Sequence, residues 1–262
     1  MKRIVSSTLL AFFTWIILFF LPSYFFVLWV ILFVVIGCAE FANLISRKGI
    51  FVHKYIAILT ATALCLPFFF TQQLFILYIS LLSLFLIQFT CRDRQIAIFS
   101  IATTFLGIIY VGWLGSFWSK LIFLEKGKYW VLFLLLVCKG GDGGAYLLGK
   151  RFGKHRLIPR ISPYKSREGA VAGLLCSILI ALLSNLFFLK LSYLHSLLLG
   201  GICGVLGQIG DLAESLLKRD AEVKDSGRVF SGLGGSLDLI DSLLFTAPVV
   251  YFYLIKIVGI GI

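Results

Sequence analysis

The stretch "YFFVLWVILFVVIGCAEFA", residues 24–42, runs nineteen residues with no basic side chain and a single acid, Glu40, near its end. Wound as a helix at 1.5 Å per residue, it is about as long as the ~30 Å hydrocarbon core of a bilayer is thick. Comparable apolar runs lie near 4–21, 54–71, 73–90, 95–115, 129–148, 170–189, 193–212 and 237–257. Nine such runs predict an all-α polytopic integral membrane protein of about nine transmembrane helices. The composition agrees: 60% of the 262 residues are hydrophobic and only 14% charged, against roughly 25% charged in soluble domains. The Met-Lys-Arg start has no small-residue cleavage site after it and leads into a second span, so it reads as a retained first helix.

A net charge of +12 invites a nucleic-acid reading, but the basic residues sit in short loops between apolar runs and form no continuous stripe. Their distribution sets topology instead. With the N-terminus cytoplasmic, one set of loops holds eighteen of them: Lys2, Arg3, Arg47, Lys48, Lys54, Arg92, Arg94, seven between Lys150 and Arg167, then Lys218, Arg219, Lys224 and Arg228. The opposite loops hold four, Lys120, Lys126, Lys128 and Lys190. This bias predicts cytoplasmic polar loops at 149–169 and 213–236 and, with nine spans, an external C-terminus. An N-terminal membrane part, 1–128, would precede a catalytic part, 129–262. The six cysteines are scattered with no C-x-x-C pair and read as small buried hydrophobes rather than as disulfides or zinc ligands.

Carboxylates inside apolar runs cost ~2.5–3.5 kcal/mol at a helix centre and mark function. Here they are Glu40, Asp142, Asp211, Glu214, Asp238 and Asp241, all toward the span ends assigned to the cytoplasm. If the eighth span continues as a helix, Asp211, Glu214, Ser215 and Lys218 share one face; Asp238, Asp241 and Ser242 do so in the ninth. Hard oxygen donors of this kind suit Mg²⁺ completed by substrate phosphates. Between them lies "KRDAEVKDSGRVFSGLGGSLDLID", residues 218–241. Its Lys218, Arg219, Lys224 and Arg228 suit phosphate oxygens, and the run Gly232 to Gly235, including Gly234 and Gly235, allows backbone N–H groups to approach one. Acid for metal, base for phosphate and glycine for close approach describe a nucleotide or pyrophosphate site. The alternative is a solvated topogenic loop, which leaves Asp211, Asp238 and Asp241 unexplained. Glu40 reads more readily as a paired interfacial residue. A second polar block, "GGDGGAYLLGKRFGKHRLIPRISPYKSREGA" at 140–170, combines Asp142 among four glycines with seven basic residues suited to an anionic lipid. His155 within it reads as a surface residue, and no triad is visible among the histidines.

The stretch Ser215 to Leu243 resembles the C-terminal signature of phosphatidate cytidylyltransferases, S-x-x-K-R-x4-K-D-x-G-x3-P-G-H-G-G-x-x-D-R-x-D. Ser215, Lys218, Arg219, Lys224, Asp225, Gly227, Gly232, Gly234, Gly235, Asp238 and Asp241 fall in register. "GQIGDLAES" and "DGGAYLLGKRFGKHRLIPRISPYKSREG" look like two further family blocks, so the resemblance is close over 138–248. Ser231, Leu233 and Leu239 stand where the family has Pro, His and Arg, and Arg167 where a Trp is usual. The resemblance implies a membrane enzyme joining CTP to phosphatidic acid to give CDP-diacylglycerol and pyrophosphate. It further implies Mg²⁺ in a two-cation centre held by aspartates, with a monovalent ion such as K⁺ a candidate for the second cation, and a possible homodimer. Carried over, Asp211, Asp238 and Asp241 would be the metal ligands, with Lys218, Arg219, Lys224 and Lys165 on phosphates and Ser215 supporting them. Two alternatives stand beside this reading: a CTP-dependent lipid kinase, which would release CDP, and a transporter using its carboxylates as an ion relay. A CDP-alcohol phosphatidyltransferase is disfavoured, because the sequence from Asp142 to Tyr146 lacks that motif's spacing and Arg.

Overall fold

The computed structural model describes residues 2–90, 96–227, 229–230 and 232–261. Most of them are helical: α1 (Lys2–Phe20), α2 (Ser23–Ser46), α3 (Lys54–Cys65), α4 (Gln73–Thr90), α5 (Ala97–Gly107), α6 (Leu114–Leu121), α7 (Gly127–Phe152), α8 (Arg167–Ser184), α9 (Tyr193–Asp220) and α10 (Ser236–Tyr253). A π-helical stretch, Ile108–Trp113, joins α5 to α6 without a break, and others extend α8 and α10 to Leu189 and Val258. Among the described residues seven helices are long and apolar enough to cross a membrane; Val5–Phe20 and Lys54–Cys65 are apolar but shorter. The chain is an all-α polytopic membrane protein.

Lipid, not water, is the solvent these surfaces suit. The outward side of α4 shows Leu74, Phe75, Tyr78, Phe85 and Phe89, and that of α1 shows Phe12, Phe13 and Trp15. Apolar area on that scale is rare on soluble proteins. The span expected over 54–71 is cut short at Cys65. Leu66 precedes Pro67 and is forced out of the helical region to φ −75°, ψ 133°, after which Pro67–Phe69 makes one 3₁₀ turn.

The chain divides into two compact units, residues 1–120 with 220–240, and residues 121–219 with 241–262. In the first, Ala57, Leu64, Leu84, Ile101 and Ile108 form a core cluster. In the second, α7 and α8 run against each other along a seam of small residues. A Cβ built on Gly169 would lie 2.8 Å from the Ala145 carbonyl oxygen and 3.0 Å from the Gly149 Cα. Backbones that close require glycine, as is usual where membrane helices meet. Between these two helices the polar block folds into an antiparallel pair, β1 (Arg156–Ile158) and β2 (Ser162–Ser166). Ser166 then caps α8 by accepting from the Gly169 N–H at 3.1 Å. Glu168 ties the hairpin down, its carboxylate accepting from the N–H groups of Lys154 and His155 and meeting the His155 ring at 2.6 Å. Within the polar loop expected over 149–169, residues 156–166 form a braced hairpin, while 149–152 continue α7 and 167–169 begin α8. Cys38, Cys65, Cys138 and Cys203 are buried free thiols and Cys176 is half-buried.

Candidate active site

In the second unit, four elements bring charge to the walls of one cavity of about 630 Å³, within the ~300–1,000 Å³ usual for small-molecule sites. Helix α7 supplies Asp142, Tyr146, Gly149 and Lys150; the hairpin supplies Arg156, Tyr164 and Lys165; α9 supplies Gln208 and Asp211. Gln208 is anchored by donating to the Ala170 carbonyl at 2.9 Å. The continuation of α9 to Asp220 explains the placing of its acids. Asp211 is half-buried, while Glu214, one turn on, is fully buried and ion-paired with Lys218. Ser215 is half-buried on the same helix.

The carboxylates at and beside this cavity are partnered by ammonium groups of the chain. Lys165 Nζ lies 2.6 Å from Asp211 Oδ2. Lys139 Nζ lies 3.5 Å from Asp142 Oδ2, 3.7 Å from Asp241 Oδ1, and donates to Ser242 Oγ at 3.0 Å. Ser242 Oγ in turn donates to Asp142 Oδ2 at 3.1 Å, so Asp142, Asp241 and Ser242 enclose one positive charge. Asp211 is near enough to act electrostatically on all three charged members of that group. Among the described residues no group of three or more His, Cys, Asp or Glu side chains forms a ready-made metal cage. Mg²⁺ does not need one: one or two carboxylates plus substrate phosphates usually suffice. The chemistry of the donor set fits such an ion, and Asp142 and Asp211 both stand at the cavity wall.

In the first unit the signature loop is organised around carboxylates. Asp238 Oδ2 accepts from Gly235 N at 2.8 Å, Ser226 Oγ at 2.9 Å and Ser226 N at 3.1 Å. Gly232 and Gly234 adopt φ +79° and +97°, which lets the chain turn back so that Phe230 N donates to Gly234 O at 3.0 Å. The N–H groups of Leu233 and Gly234 bond to the Phe230 carbonyl, and that of Gly235 goes to Asp238. The amides of 233–235 are thus engaged inside the unit. Lys224 is exposed; Arg219, which belongs to the second unit, is exposed and donates through Nε to the Ile161 carbonyl of that unit at 3.2 Å. Arg228 and Ser231 lie outside the described residues.

Sequence reasoning missed Lys139. A lysine in the middle of an apolar run costs as much as the aspartates that drew attention, and its i,i+3 spacing to Asp142 was visible in "KGGD". Ser226 was also missed, since a loop serine carries no signal before the loop is folded.

Residues 1–257 match the sequence profile of the Cytidylyltransferase family. The chain belongs to the cytidylyltransferase family. Its relatives include the phosphatidate cytidylyltransferase of Staphylococcus saprophyticus, 38% identical over 171 residues, which are 65% of this chain and 62% of that protein. The phosphatidate cytidylyltransferase of Bacillus subtilis is 39% identical over 151 residues, 57% of this chain and 56% of the other. An uncharacterized Escherichia coli protein, YnbB, is 41% identical over 133 residues, 51% of this chain and 44% of its own. Each match spans less than two thirds of the relative's own length. The cavity wall mixes the carboxylates of Asp142 and Asp211 with Lys150, Arg156 and Lys165.

Proposed function

We propose that the protein is a phosphatidate cytidylyltransferase, converting CTP and phosphatidic acid to CDP-diacylglycerol and pyrophosphate. The observation that carries the reading is the cavity in the second unit, where Asp142 and Asp211 face the same space as Lys150, Arg156 and Lys165. A phosphate oxygen of the lipid attacks the α-phosphorus of CTP; the new P–O bond forms as the bond to the β-phosphate oxygen breaks, and pyrophosphate leaves. A phosphomonoester is largely dianionic at neutral pH and needs no strong general base. What the protein must supply is position and compensation of negative charge.

Lys165 is placed for both. It is held by Asp211 at the cavity wall, on a hairpin braced by Glu168, and can pass its ammonium to a phosphate oxygen. Arg156 opens the same hairpin and adds a bidentate fork. Lys218, Arg219 and Lys224 take further phosphate contacts, with Ser215 in support. We assign Asp211, Asp238 and Asp241 to Mg²⁺ on the strength of the sequence match. When bound, the ion would offset charge on the phosphates as a Lewis acid. The active site faces the cytoplasm, following the eighteen-to-four bias of basic residues.

The test is release of pyrophosphate by purified protein in detergent supplied with CTP, phosphatidic acid and Mg²⁺. Release that depends on both substrates and is lost in Asp211→Ala supports the reading. Release of CDP instead would indicate a lipid kinase, and no nucleotide turnover would refute the assignment.

A further inference from the structure

Glu40 lies in the most apolar part of the first unit, on α2, almost two hundred residues from the signature loop, and is 5% exposed. Among the described residues its hydrogen-bond partners are two backbone amides and a hydroxyl. Oε1 accepts from the Ser236 N–H at 3.0 Å; Oε2 accepts from the Leu237 N–H at 2.9 Å and from Ser226 Oγ at 3.2 Å. Ser236 and Leu237 are the first two residues of α10, whose N–H groups have no acceptor within their own helix. A carboxylate there meets two such donors and the positive end of the helix dipole at once.

The rest of the same face of α2 is shaped for the same loop. One helical repeat before Glu40, the Phe33 carbonyl accepts from Ser236 Oγ at 2.7 Å, and the Phe33 ring stacks on Phe230 with centroids 5.4 Å apart and planes 6° from parallel. Between them Gly37 leaves room for Leu237: a Cβ there would lie 3.3 Å from Leu237 Cδ2. On the loop side, any Cβ at Gly227 or Gly235 would collide with the Glu40 carboxylate. Two glycines of the signature are therefore small because Glu40 fills the space beside them.

One hydroxyl links this arrangement to Asp238. Ser226 Oγ sits between Glu40 Oε2, at 3.2 Å, and Asp238 Oδ2, at 2.9 Å, while Gly235 and Ser236, adjacent in the chain, donate one to each carboxylate. We propose that Glu40 is a positioning residue: through Ser226 and the Gly235–Leu237 amides it fixes the orientation of the Asp238 carboxylate, with Phe33 and Gly37 completing its seat on α2. This rests on the role given to Asp238 under the proposed function. It assigns the N-terminal half of the chain a direct part in building the site, beyond crossing the membrane.

The test compares Glu40→Gln, Glu40→Ala and Ser226→Ala with the wild-type protein in detergent. Loss of an outer partner of a ligand typically costs about 10–100-fold in activity or metal affinity. Glu40→Ala should therefore lower kcat in that range and raise the Mg²⁺ concentration for half-activation, with the KM for CTP within about twofold of wild type. Glu40→Gln, which keeps one acceptor oxygen, should recover part of the loss, and Ser226→Ala should show a smaller fall of the same kind.

Limited trypsin digestion supplies a readout independent of catalysis. Cleavage at Lys224, exposed in the signature loop, should quicken in the variants, while cleavage at Arg160, exposed in the hairpin of the other unit, should not. If Glu40→Ala also speeds cleavage at Arg160, it has lost its fold, and Glu40→Gln and Ser226→Ala decide. Unchanged kcat and unchanged loop cleavage in those two overturn the proposal, as does either readout moving without the other. Failure of the wild-type protein to release pyrophosphate would count against the proposed function, whereas the trypsin comparison would still report on the Glu40 seat.

Discussion

Replacing Lys139 by Met keeps the length and apolar stem of the side chain but removes the one positive charge enclosed by Asp142, Asp241 and Ser242. With its Nζ 3.5 and 3.7 Å from two carboxylate oxygens, each contact has a gross attraction of about 4–5 kcal/mol at an effective dielectric of 20. Desolvation offsets much of that. Breaking a buried pair costs about 3–5 kcal/mol, and a surface pair is worth about 0–1. The Lys139 side chain is 42% exposed and that of Asp241 only 9%, which places the net loss between these limits, at about 2 kcal/mol. For a chain of this size that is a fall in Tm of about 4–8 °C. The variant should also be stabilised by added Mg²⁺ more than the wild type is, because a divalent ion can offset the two carboxylates left facing each other. Thermal melts in detergent, run with and without Mg²⁺, read both effects. A Tm within about a degree of wild type, with the same Mg²⁺ response, would refute the view that Lys139 neutralises this pair.

Gly169→Val should lower Tm by several degrees, because its Cβ meets backbone atoms of α7 that cannot rotate away; overpacking of this kind costs about 1–3 kcal/mol. Lys165→Ala should reduce kcat/KM for CTP by about 10- to 100-fold, the worth of a charge-assisted hydrogen bond, and Lys165→Arg should restore part of it. A cysteine replacing the exposed Lys224 should react with an impermeant maleimide only from the cytoplasmic face. Labelling from outside would reverse the topology. Gly227 is a poor site for that probe, since its Cβ would strike Glu40.

The helices were legible because long apolar runs have one stable form in lipid, a helix that satisfies its own backbone. Length was legible less well: the stop at Cys65 was signalled by Pro67, yet the hydropathy of "FFF" after it argued for continuing. Partners were less legible than spacing: i, i+3 puts Asp238 and Asp241 on one side of α10, yet Asp238 accepts from Ser226 and Gly235 while Asp241 lies beside Lys139. The hairpin at 156–166 was hidden, because its strands carry no period-2 pattern of apolar residues and are held by Glu168 and the cap at Ser166.

The signature loop shows why a motif can be recognised before its parts are understood. From spacing alone, Gly232 to Gly235 looked like a cradle for phosphate, and Glu40 like a paired interfacial residue. The fold gives the amides of Gly235, Ser236 and Leu237 to two carboxylates. No local pattern could have paired Glu40 with Ser236, because 196 residues separate them and burial of α2 against the loop is what makes the contact obligatory. Once that contact exists, Glu40 leaves no room for a side chain at positions 227 and 235, whichever ligand the site takes. The same reasoning bears on Leu233 and Leu239, where the family pattern has His and Arg. Leucine has no polar side-chain atom, so neither position can add a side-chain hydrogen bond to those that Ser226 and the 235–237 backbone give the Glu40 and Asp238 carboxylates.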